Sequence, residues 1–223
     1  MTTFSSTTDQ VQALYVGYFG RAGDPGGANY WIGLLNNGTN TLAQQAASFA
    51  TQPEAKAKYP YLANPLVSNP DQFIKEVYLN LFNREPDPAG QAYWSAKLIA
   101  AGGNPNAVGQ FILDVISGAT GVDSVCITNK VSVSRTFTEA AANNSIPWTD
   151  AVAAQSTAEI ASVTADPATV IAANKATAAF LAVTVTVAEA ALLGPTQPYN
   201  LLDTSANEAN ATASILNLSL IHI

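Results

Sequence analysis

The chain has 223 residues, 48% of them hydrophobic and only 11% charged, which is ample material for one large buried core or two small ones. Sixteen acidic against nine scattered basic residues give a net charge of −7, which argues against nucleic acid and anionic lipid as partners, since both need clustered Lys and Arg. The single cysteine, Cys126, excludes an internal disulfide, so the protein is either kept reduced or needs no staples outside the cell.

Residues 1–9 (MTTFSSTTD) have neither the cationic region nor the apolar run of a secretory signal peptide, so any export is expected to use another signal. The first predicted helix carries Val11, Leu14, Tyr15, Tyr18 and Phe19 at i, i+3, i+4, i+7 and i+8, the apolar stripe of an amphipathic helix. A short loop with Arg21 follows. Asp24-Pro25 then reads as an N-cap and a proline at the first helical position of a second helix, whose buried side would be Tyr30, Trp31, Leu34 and Leu35. A third helix spans 42–50 and ends near Pro53.

The same unit then recurs. Residues 15–31 align without gaps on residues 78–94, an offset of 78 − 15 = 63, with identities at Tyr, Phe, Arg, Asp, Pro, Gly, Tyr and Trp. These are rare or conformationally special residues, so the match records duplication and not shared composition. Ile74, Val77, Tyr78, Leu81 and Phe82 repeat the first stripe, Arg84 repeats Arg21, Asp87-Pro88 repeats the cap, and Tyr93, Trp94 and Leu98 repeat the buried side. Residues 106–116 repeat the third helix, with Val108, Ile112 and Val115 inward.

Beyond Gly121 the pattern weakens. Val125, Ile127, Val131 and Val133 fit strand alternation, while Ile127, Lys130, Val131 and Ser134 trace a poor helical face; the helical surroundings favour helix. Pro147-Trp148-Thr149 introduces another helix, and Asp166-Pro167 repeats the cap before a long Ala-rich helix that stops at Gly194-Pro195. Residues 176–188 are the most apolar run, shorter than the roughly 20 residues a membrane span requires, and read as buried helix. Residues 195–217 read as a linker or the start of a further domain. Residues 218–223 (LSLIHI) match the in-frame translation of a transposon mosaic end used in sequencing libraries. They are expected not to be native, which would leave the natural chain longer and its only histidine, His222, foreign.

The fold class is therefore all-α: duplicated helix–loop–helix units in a compact helical domain, followed by a long Ala-rich helix and a linker. The duplicated module is placed at residues 9–170, with units at about 9–60 and 72–123 and C-terminal helices at 124–170, and the long helix at 171–194.

The doubled pattern Tyr-x-x-x-Phe-x-Arg-x-x-Asp-Pro-x-Gly-x-x-Tyr-Trp resembles the signature of domain of unknown function family 4214. Residues 128–138 and 164–167 resemble that family's C-terminal portion, with Cys126 standing where an aliphatic residue is expected. The resemblance implies a helical module of S-layer and haemolysin-type (RTX-like) surface proteins, exported by a type I route through a C-terminal signal. Calcium sites would then belong to a missing C-terminal region, because no Asp-x-Asp-x-Asp-Gly loop or Gly-Gly-x-Gly-x-Asp nonapeptide occurs in this sequence.

The candidate ligand-binding residues are Arg21, Tyr30, Trp31, Arg84, Tyr93 and Trp94, with the aromatic pairs as a stacking platform for sugars. Core packing is the competing role, favoured by their helical spacing; on it Trp31→Ala or Trp94→Ala would cost about 3–5 kcal/mol. Asp24, Asp87 and Asp166 are assigned to helix capping in preference to metal binding, with the arginines paired nearby. No catalytic, metal or cofactor set is assigned, since Gly-x-Ser-x-Gly, a His-Cys pair, a phosphate loop and zinc spacing are all lacking. The expected role is non-catalytic attachment or assembly at the cell surface, through envelope polysaccharide or neighbouring copies. The alternative is a passive spacer beside a missing catalytic or toxin domain.

Overall fold

In the computed structural model, residues 2–192 are described; for residue 183 and residues 185–192 this extends to the backbone alone. Among the described residues there are helices and no strands. In order they are α1 (Thr7–Phe19), α2 (Pro25–Asn36), α3 (Leu42–Thr51), α4 (Pro53–Lys58), α5 (Pro60–Ala63), α6 (Asp71–Phe82), α7 (Pro88–Ala100), α8 (Pro105–Gly118), α9 (Gly121–Asn143), α10 (Asp150–Ser162) and α11 (Pro167–Leu192). The chain divides into a compact unit, Met1–Thr184, and a second unit, Val185–Ile223. The stop at Gly194-Pro195, the linker at 195–217 and the foreign ending at 218–223 lie outside the described residues.

Helix ends follow local chemistry. Ser6, Thr41 and Thr149 cap α1, α3 and α10 with their hydroxyls, and Thr41 with Gln44 forms a reciprocal capping box. α1 ends on Gly20 at φ 67° and α6 on its counterpart Asn83 at φ 57°, the left-handed stop that glycine and asparagine tolerate best. The short helices α4 and α5, each opened by a proline, bridge the two copies where the sequence reading anticipated only the end of α3.

α1 is the hub, packing against α2, α3, α6, α8 and α9. Its predicted stripe is buried throughout, as are Ile74, Val77, Leu81 and Phe82 of the second copy; Tyr78 is half-buried. The most extensive helix pairing is α3 with α8. There a Cβ on Gly109 would lie 2.5 Å from the Ala47 nitrogen and 2.8 Å from the Ala46 carbonyl carbon, so the two backbones nearly touch. Around the crossing lies an aromatic core: Phe73 sits 4.9 Å from Tyr59, 5.6 Å from Phe111 and 6.4 Å from Tyr18, centroid to centroid. The buried phenols of Tyr18 and Tyr61 donate to the carbonyls of Ala46 (2.7 Å) and Leu98 (2.9 Å), so neither hydroxyl is orphaned.

The segment after Gly121 is one long helix, and the face judged poor from sequence is its buried face: Ile127, Lys130, Val131 and Ser134 all point inward. Two polar arrangements explain why the hydrophobic pattern was weak. Ser134 Oγ donates to Gln12 Oε1 (2.6 Å), Gln12 Nε2 donates to Thr138 Oγ1 (2.9 Å), and Gly23 N donates to Gln12 Oε1 (3.0 Å), a buried network tying α9 to α1 and its loop. Lys130 Nζ donates to the carbonyl of Asn80 (2.7 Å) and to Asn83 Oδ1 (2.6 Å), capping the C-terminus of α6. Cys126 is buried beside this face, as a small thiol in an aliphatic place can be.

In α11, Thr177 and Leu181 are buried while Ala178, Ala179 and Ala182 are exposed, so only one side of the apolar run is covered over these residues. Among the described residues no single helix is long and apolar enough to cross a membrane.

Candidate functional site

The two copies can be compared position by position. In each, the arginine after the left-handed cap turns back over the helix it has just left. Arg21 grips Glu54 with two hydrogen bonds (Nε to Oε1 2.8 Å, Nη2 to Oε2 2.7 Å), donates to the Ala22 carbonyl (2.7 Å), and lies 5.2 Å from the Tyr15 ring and 5.3 Å from Phe19. Arg84 does the same with Asp123 (3.1 and 2.5 Å) and the Glu85 carbonyl (3.0 Å), over Tyr78 and Phe82. The carboxylates come from unrelated places, α4 and α9. Neither arginine pairs with the capping aspartate, contrary to the sequence reading.

The aspartates act on backbone. Asp24 Oδ1 accepts from Gly27 N (2.6 Å), Asp87 Oδ1 from Gly90 N (2.8 Å) and Asp166 Oδ1 from Ala168 N (2.9 Å). Tyr15 donates from its hydroxyl to Asp24 Oδ2 at 3.4 Å; burial, reinforced by the Asp24 charge, pushes the Tyr15 pKa well above its ordinary value and keeps the phenol protonated.

The aromatic pairs lie elsewhere than expected. Tyr30 and Tyr93 are 61% and 52% exposed, Trp31, Trp94, Leu34 and Leu35 are half-buried, and of the supposed buried side only Leu98 is fully enclosed. The reason is that α2 and α7 lie at the rim: their tyrosines extend past the helices they cover, while each Trp packs on one core ring. Trp31 meets Phe49 and Trp94 meets Phe111, both at 5.1 Å. That shared pair fixes the register of the third helices at 111 − 49 = 62, one residue short of the earlier offset. Trp94 is held further by its indole N–H, which donates to the Tyr78 hydroxyl at 3.2 Å.

Each Trp borders a hollow. The one at Trp31 measures about 370 Å³, near the lower end of the roughly 300–1,000 Å³ of small-ligand sites. It is lined by Tyr15, Phe49, Arg21, Asp24 and Glu54, whose charged groups already hold one another or the backbone. The hollow at Trp94, about 180 Å³, is bordered by Lys97, Phe111, Gln110 and Asp114. Gln110 and Asp114 also line a second hollow of about 270 Å³ that runs past Phe4, Leu42 and Leu113. Sequence reasoning missed Lys97, Gln110 and Asp114. On the register set by the Trp–Phe pairs their counterparts are Leu34, Ser48 and Gln52, none of them charged, a correspondence that the sequence offset of 63 gives only for Lys97.

Among the described residues no group of three His, Cys, Asp or Glu side chains converges on a point where a metal could sit.

No solved structure matches the chain. A Synechocystis S-layer protein is 31% identical to it over 178 residues, covering 74% of this chain and 10% of that protein, so the chain spans about a tenth of the relative's length. The family model for the domain of unknown function DUF4214 matches residues 2–59 and 63–106; residues 128–138 and 164–167 lie outside the match. Both copies of the Arg, Asp-Pro and Tyr-Trp arrangement fall inside it, and this duplicated part of the chain belongs to the DUF4214 family.

Proposed function

We propose that this module is a non-catalytic attachment or assembly element of a surface protein, holding its parent chain at the outside of the cell by binding envelope polysaccharide or neighbouring copies. The observation that carries the reading is the alignment with a Synechocystis S-layer protein over 178 residues. Two features of the chain support it. The net charge of −7 disfavours polyanionic partners, and the exposed Tyr30 and Tyr93 beside half-buried tryptophans offer flat apolar faces next to hydrogen-bonding groups. A type I, RTX-like export route is part of the same proposal through the family resemblance, with any calcium ligands supplied by residues other than those described.

Recognition through neutral hydrogen bonds and aromatic faces depends little on ionic strength, whereas a charge-driven contact weakens steeply as salt screens it. The purified chain is mixed with envelope polysaccharide of the encoding organism and retention is measured at low and high salt, with self-association followed by sedimentation. Retention at both salt concentrations, or defined self-association, is the expected result. Absence of both leaves only a spacer role.

A further inference from the structure

We infer that the hollow beside Trp94 is a saccharide subsite, with Lys97, Gln110 and Asp114 as its hydrogen-bonding groups, and that the hollow running past Phe4 and Leu113 continues it along α8. The inference rests on the polysaccharide reading of the proposed function and adds the place and chemistry of binding.

A pyranose ring presents an apolar C–H face and a rim of hydroxyls, so its site needs a flat aromatic surface beside closely spaced donors and acceptors. Trp94 supplies the surface. Its ring is held by Phe111 on one side and by the Tyr78 hydroxyl at its N–H, so little side-chain freedom remains to be lost on binding. Gln110 and Asp114, one turn apart on α8, are already joined, Gln110 Nε2 donating to Asp114 Oδ1 at 2.7 Å. That bond fixes both planar groups and leaves Asp114 Oδ2 and Gln110 Oε1 as paired acceptors for adjacent hydroxyls. Lys97, on the same helix as Trp94, holds its Nζ over the Tyr93 and Trp94 rings, 4.7 and 5.3 Å from their centres, so its donors flank the aromatic face and line the same hollow as Gln110 and Asp114. The two hollows, about 180 and 270 Å³, share Gln110 and Asp114 on their borders; each is smaller than the roughly 300–1,000 Å³ of drug-sized ligand sites and so suits a single sugar unit.

The duplication supplies an internal control. The first copy builds the same Trp–Phe pair at the same 5.1 Å with Leu34, Ser48 and Gln52 in these three places, so the fold does not require Lys97, Gln110 or Asp114. A hydroxyl-bearing neutral glycan accounts for a carboxylate, an amide and an amine gathered at one aromatic rim.

The test uses the full chain and short oligosaccharides cleaved from the neutral envelope polysaccharide of the encoding organism. In the wild type, the Trp94 indole N–H and the Gln110 side-chain amide resonances should shift on titration. The triple variant Lys97→Leu, Gln110→Ser, Asp114→Gln, which copies the first unit, should keep its thermal unfolding transition and bind about tenfold or more weakly. Asp114→Asn, which preserves shape, should also weaken binding. If the triple variant binds like the wild type, or the shifts gather at Trp31, this subsite is wrong while polysaccharide attachment stands. If the wild type binds no polysaccharide, both fall together.

Discussion

Asn80 and Gly17, which hold the same place in the two copies, are hydrogen-bonded to each other: Asn80 Nδ2 donates to the Gly17 carbonyl at 3.1 Å. A second pair of counterparts, Ala47 and Gly109, meets backbone to backbone where α3 crosses α8. In both cases the same face of one copy meets the same face of the other, the isologous relationship of a two-fold pairing carried out within one chain. The duplication is thus what builds the core, because each copy covers the apolar face its partner presents.

The α3–α8 crossing leaves no room for a side chain at 109. Gly109→Ala should lower the urea midpoint although alanine favours helix by about 1 kcal/mol, and Gly109→Val should cost about 1–3 kcal/mol or more by forcing the helices apart. Gly33, in α2 with nothing within 4 Å of an added Cβ, is the control. Gly33→Ala should stabilise by about 0.5–1 kcal/mol in the same assay.

Because the tryptophans are half-buried, Trp31→Ala and Trp94→Ala should cost about 1.5–3 kcal/mol, less than the loss expected of fully enclosed rings. Phe49→Ala and Phe111→Ala, each replacing a ring at most 1% exposed, should cost about 3–5 kcal/mol. Chemical denaturation of the four variants gives the order directly; tryptophans more costly than phenylalanines would contradict the placement of α2 and α7 at the rim.

The two arginines occupy equivalent positions in unequal surroundings. Arg21 is 8% exposed and also lies 5.6 Å from the Trp148 ring, whereas Arg84 is exposed. Arg21→Ala should therefore cost about 2–3 kcal/mol through packing lost against Tyr15, Phe19 and Trp148, the half-exposed Glu54 being free to solvate, and Arg84→Ala no more than about 1 kcal/mol. Equal losses in thermal unfolding would count against this difference.

Burial, against a weaker upward pull from Cys126, pushes the Lys130 pKa down to about 8 from its ordinary 10.5. Between those values the unfolded chain keeps a proton that the native chain has released, so stability should rise with pH through this window. Tyr15, Tyr18 and Tyr59 act in the opposite sense: burial raises all three above the ordinary 10.0, so above that pH the unfolded chain loses protons that the native chain retains, and stability falls. A stability maximum near pH 10 is expected in denaturation series. Lys130→Met should flatten the rise above pH 8 while leaving the alkaline fall in place.

By itself the sequence determined the helical class, the duplication, the stripes of α1 and α6 and the caps at Asp24 and Asp87, because periodicity and capping depend on residues within a turn or two of one another. The rim position of Tyr30 and Tyr93 was not legible there, since an aromatic at helical spacing is compatible with either face until its neighbour is known. Nor was the burial of Lys130 and Gln12: a polar residue is affordable inside only when partners such as the Asn80 carbonyl or Ser134 arrive from distant segments. The meeting of Gly17 with Asn80, and the placing of Lys97 and Asp114 around one hollow beside Trp94, was decided by tertiary structure alone, because the packing of helices from distant segments sets which side chains share a surface.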